Sequence, residues 1–130
     1  MKRLALGFAA ALMFLAVAGA APQSHTYTGE IMDSQCAKMG AHEEMMKTHE
    51  NINTAKECTL VCVKEGGKFV LFNAITKITY QLDDQTKLAQ FAGANVTVTG
   101  TLDDSKKTIR VADIKLSTIE TPFPASERPH

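Results

Sequence analysis

The chain has no tryptophan, only three cysteines in 130 residues, and no excess of charge, fourteen basic side chains standing against fourteen acidic ones. Each shortage excludes something. Without a basic surplus there is no electrostatic footprint for a dedicated nucleic-acid binder, because neutralising phosphates needs a cationic face. So few cysteines mean that an ordinary hydrophobic core, not a disulfide framework, must hold the fold. The sequence contains no Cys-x-x-Cys-His, which excludes the usual covalent haem attachment, and no Cys-x-x-Cys pair of the thioredoxin type. It also lacks a glycine-rich phosphate loop and a serine-centred nucleophile turn. Glu43, Glu44, Asp83 and Asp84 are adjacent acids that read as solvated or capping residues. Nothing points positively to an enzyme.

Only one long apolar run is present, Leu4 to Val17. It falls short of the ~20 residues needed to cross a bilayer. Met1-Lys2-Arg3 precedes it and Ala18-Gly19-Ala20 follows, which is the three-part pattern of a secretory signal peptide. Cleavage is expected near Ala20, with export to a bacterial periplasm or beyond and no membrane span afterwards. Losing Lys2 and Arg3 leaves twelve basic against fourteen acidic residues, a formal charge of −2. The remaining length suits a single domain that buries roughly two-thirds of its unfolded surface. We expect that domain over residues 21–120, and a loose tail over 121–130 that carries Pro122, Pro124 and Pro129.

The pattern within the domain is mainly β. His25 to Met32 is a strand. Thr54-Ala55-Lys56-Glu57 reads as a capping box that opens a helix to about Glu65, stopped by Gly66-Gly67. Lys68 to Phe72 is a continuous apolar run, as expected of a strand buried on both faces. Ile78, Tyr80 and Leu82 alternate with polar residues in another strand. Asp83-Asp84 would cap a short helix carrying Leu88, Phe91 and Ala92. Val96, Val98, Gly100 and Leu102 mark a fourth strand. Ile109, Val111, Ile114 and Leu116 mark a fifth, with a phase slip at Ala112-Asp113 that predicts a bulge. Five strands with a helix between the third and fourth is the order of an OB-fold barrel, with residues 33–67 as a Cys/His/Met-rich helical insertion between strands one and two. A different five-stranded α+β arrangement is the rival.

The chemistry-bearing residues crowd into that insertion. All three cysteines, His42, His49 and the four methionines outside the leader lie between Met32 and Cys62. Cys58 and Cys62 sit at i and i+4 on the capped helix, hence on one face but with parallel Cβ directions, a poor geometry for a disulfide. Two readings stand side by side. Either Cys36 bridges to Cys58 or Cys62, closing a loop worth roughly 3 kcal/mol, with no metal present. Or Cys36, Cys58 and Cys62 are ligands to one ion, with His42 as the fourth donor, His49 and Met46 being lesser candidates. Such a set suits zinc or copper. A third class is a thiol-dependent redox protein using Cys58 or Cys62. Asp33-Ser34 is read as a local turn closed by its side chains.

Gly29-x-Ile31-x-Asp33-Ser34-x-Cys36, His42, Cys58-x3-Cys62-Val63 and Gly66-Gly67-Lys68 resemble the first half of small exported bacterial proteins of unknown function. Tyr80-x-Leu82, Phe91-Ala92-Gly93 and Val96-x-Val98-x-Gly100-x-Leu102 continue the resemblance across nearly all of residues 25–116. It implies an OB-fold-type periplasmic domain and brings no activity with it. No partner or oligomeric state is legible in the residues.

Overall fold

The computed structural model describes Gly19 and residues 22–118. The expected signal peptide and the expected tail therefore lie outside the described residues, Gly19 apart. No described helix is long and apolar enough to cross a membrane.

Five strands are described: β1 (His25–Asp33), β2 (Phe69–Asn73), β3 (Ile78–Leu82), β4 (Asn95–Asp103) and β5 (Thr108–Leu116). They close in a ring in the order β1-β2-β3-β5-β4, a mixed sheet in which only β3 and β5 run parallel. That seam is short, with Gln81 opposite Thr108 and Leu82 opposite Ile109. β1 changes partner along its length. His25 to Glu30 pair with β4, and Glu30 to Asp33 pair with β2. Its last residues thus part from β4 but stay paired with β2 up to the point where the helices begin. The predicted bulge is present: Thr99 faces Asp113 while Gly100 faces Val111, which leaves Ala112 as the extra residue.

Between β1 and β2 run three helices, α1 (Ser34–Met39), α2 (Glu43–Thr48) and α3 (Ala55–Lys64). α3 forms as its sequence dictates. The Thr54 hydroxyl accepts from the Glu57 amide at 3.1 Å, and the Glu57 carboxylate accepts in return from the Thr54 amide. Its far end stops at Gly66, in the left-handed region at φ +112°. Gly93 fixes its near end. At φ +71°, a side chain there would be strained, and its Cβ would stand 2.5 Å from the Lys56 backbone nitrogen.

The expected helix after Asp83-Asp84 is corrected to a single 3₁₀ turn, Ala89–Phe91, with Leu88 at its start and no side-chain cap. Both carboxylates are engaged elsewhere. Asp83 accepts the Val111 amide at 2.9 Å, and Asp84 closes a turn on the amide and hydroxyl of Thr86. With its presumed caps spent, the segment has no helix start, though Leu88 still buries fully.

β2 explains why two cores exist. Its Phe69 and Leu71 point into the ring and pack with Ile31, Leu82, Val96, Val98 and Ile109. Val70 and Phe72 point outward, beneath the helices, and pack with Met32, Ile52 and all three cysteines. One strand buried on both faces thus joins the core inside the ring to a second, sulfur-rich core, as period-two alternation requires.

Candidate metal centre

Cys36 is placed by the turn that ends β1. Asp33 caps α1: its carboxylate accepts the Gln35 amide at 2.8 Å and the Cys36 amide at 3.2 Å. The cap is fixed to the start of β2, because the Ser34 amide donates to the Lys68 carbonyl and the Lys68 amide donates to the Ser34 hydroxyl. α1 then ends at Gly40, φ +79°, whose N–H reaches the Cys36 and Ala37 carbonyls. Cys58 and Cys62 come from α3, on the face turned to the same core, and Gly67 lets the chain pass close by. A Cβ on Gly67 would sit 2.9 Å from the Cys62 carbonyl oxygen and 3.3 Å from an Asp33 carboxylate oxygen.

The three sulfurs lie within 4.8 Å of one another, and Cys36 Sγ is 3.6 Å from Cys58 Sγ. Three sulfurs at ~2.3 Å from one zinc stand roughly 3.8 Å apart at the tetrahedral angle. The observed spacing is one that could hold a metal ion. A disulfide needs a bond of ~2.05 Å, and all three cysteines are free. Neither pairing expected for Cys36, with Cys58 or with Cys62, is formed.

The cluster is buried. Cys36 and Cys58 are 0% exposed and Cys62 is 2% exposed. Burial, reinforced by the carboxylate of Asp33 and by Cys58, pushes the Cys36 thiol far above its ordinary range. Burial also pushes the Cys62 thiol up to about 11, with Asp33 and then Cys58 adding to it. These two thiols are therefore neutral at pH 7 in the metal-free chain. A cation entering the cluster must displace their protons, and thiolate is the form that binds metal.

The remaining sequence-predicted donors lie around the cluster and not in it. His42 stands before α2, nearly buried, with Nε2 2.6 Å from a Glu30 carboxylate oxygen. It is outside the set of mutually close ligand atoms. His49 closes the other end of α2 by donating from Nδ1 to the Met45 carbonyl at 3.0 Å. Met46, with Met45, packs against the sulfur-rich core, as expected of inward-facing methionines on a short helix. Sequence reasoning gave Asp33 its turn but missed that the same carboxylate raises the thiols. The available signal was its position three residues before Cys36, where a helix cap belongs. It also missed Glu30 as the partner of His42. Glu30 lies two before Met32 on β1 and so shares the outward face that carries the second core.

A scan of protein families finds no match to this chain, and searches of curated proteins and of solved structures find none either.

Proposed function

We propose that the protein is an exported, non-enzymatic binding or accessory domain. Its ring is an OB-fold-like barrel, and its helical insertion holds one thiophilic metal ion, zinc or copper(I), on Cys36, Cys58 and Cys62. The observation that carries the reading is the convergence of three buried sulfurs within 4.8 Å. The strand order, the parallel contact of β3 with β5 and the turn between β3 and β4 support the OB-fold reading. The leader pattern of residues 1–20 supports export. Soft thiolates select copper(I) and zinc over the hard cations magnesium and calcium. Binding would tie α1 to α3 across the outer face of β2, so the ion would act as a staple for the insertion.

A second reading keeps a specific observation in its favour. Cys36 Sγ and Cys58 Sγ stand 3.6 Å apart, and oxidation joining them would staple the same two helices without metal, leaving Cys62 free. Native mass spectrometry of the exported protein under non-reducing conditions separates the two. Three alkylatable thiols after denaturation, with one zinc or copper in the native spectrum, support the metal. A chain two hydrogens light with no metal overturns it in favour of the disulfide. A thiol that cycles between oxidised and reduced forms under added oxidant moves the assignment to redox chemistry.

A further inference from the structure

Three thiolates leave zinc one ligand short of the four that closed sites use. Two features of His42 bear on that vacancy. Its side chain is 9% exposed, and Nε2 is fixed by the Glu30 carboxylate at 2.6 Å. Its other ring nitrogen, Nδ1, is buried and has no hydrogen-bond partner among the described residues. A carboxylate accepts only from an N–H, so in the neutral ring Glu30 sets the tautomer with the proton on Nε2 and leaves a lone pair on Nδ1. A buried lone pair without a donor costs free energy. It is also how metal-binding histidines are prepared, one nitrogen open and the other donating to a carboxylate.

The surroundings connect this imidazole to the sulfurs. Glu30 pairs across the sheet with Phe72, and Phe72 packs in the core that contains Cys36, Cys58 and Cys62. His42 follows Cys36 by one short helix, and between them lies Gly40 in the left-handed region. On its other side His42 starts α2, its carbonyl accepting the Met46 amide at 3.0 Å, and Met45 and Met46 of that helix pack against the same core.

We propose that His42 Nδ1 is the fourth ligand of a Cys₃His zinc site, with Glu30 as the residue that positions it. The inference rests on the thiolate site proposed above and assigns its metal as zinc. As the three sulfur–zinc bonds form, each thiol gives its proton to solvent. His42 keeps its Nε2 proton on Glu30, and no electron is transferred.

Zinc titration of the reduced full chain, followed by long-range ¹H–¹⁵N NMR of the histidine rings and by chelator competition, tests this. The expected result is a shift of His42 Nδ1 on loading while Nε2 stays protonated. Glu30→Gln is expected to weaken zinc affinity by about 10- to 100-fold, the usual effect of losing the partner of a metal-bound histidine. His42→Ala should weaken it at least as much. If the alanine variant is misfolded, the wild-type spectra and Glu30→Gln still decide. Zinc bound with His42 Nδ1 unmoved overturns this inference and leaves the thiolate site standing. Failure of the wild-type chain to take up zinc or copper(I) overturns both.

Discussion

Metal-free and metal-loaded protein should respond to pH with opposite signs, and the size of each response follows from the site. Cys62 is held up to about 11 in the fold, against 9.0 for an unperturbed thiol, and Cys36 is held higher still. A group with a raised folded pKa stabilises the fold fully below its unfolded pKa and loses that contribution as pH rises through the folded value. Cys62 alone then contributes about 3 kcal/mol that disappears between pH 9 and 11. Metal affinity moves the other way. Below pH 9 each bound thiolate has first given up a proton, so the logarithm of the association constant should rise by about two to three per pH unit. With free metal at a hundred times Kd the complex gains about 2.7 kcal/mol. On a domain of this size that raises Tm by roughly 10–20 °C. Thermal melts of both forms from pH 6 to 10, with chelator competition at each pH, measure both slopes. An affinity that does not change with pH would refute the reasoning, because it would mean that the ion binds somewhere other than the buried thiols.

Three further outcomes are expected. Cys58→Ser should abolish stoichiometric metal binding at micromolar concentration while the far-ultraviolet circular dichroism of the metal-free chain is retained; full metal content in that variant would contradict the ligand assignment. Thr54→Ala removes one half of the capping box on the helix that carries two of the sulfurs, and should cost about 1 kcal/mol in denaturant unfolding. Gly93→Ala sets a Cβ against the Lys56 backbone at a positive φ and should cost about 1–3 kcal/mol; an unchanged denaturation midpoint would show that α3 does not rest on that contact.

The parts of this fold that were legible from the residues are those with local causes. Thr54 and Glu57 name their own helix start, Gly66 its end, and Lys68 to Phe72 read as a buried strand because an apolar run leaves no face for water. The slip at Ala112 was visible as a break in a period of two. Asp83 and Asp84 misled because an aspartate can cap a helix or close a turn equally well. Tertiary demand decided the matter, with the Val111 amide needing an acceptor. α1 was not anticipated, since six residues carry too little periodicity to announce a helix and its cap is completed by Lys68, 34 residues away. For the candidate site, crowding of cysteine pointed to the three sulfurs that the fold brings within 4.8 Å of one another, but their distances depend on how α1 seats against β2. The Glu30–His42 contact links a strand to a loop twelve residues on, and no sequence pattern encodes it.

X-ray absorption at the metal edge of the loaded, reduced protein tests the sulfur centre most directly. A first shell containing three sulfurs at ~2.3 Å is the predicted result. A shell made only of nitrogen and oxygen, with the cysteines still alkylatable after unfolding, would contradict it.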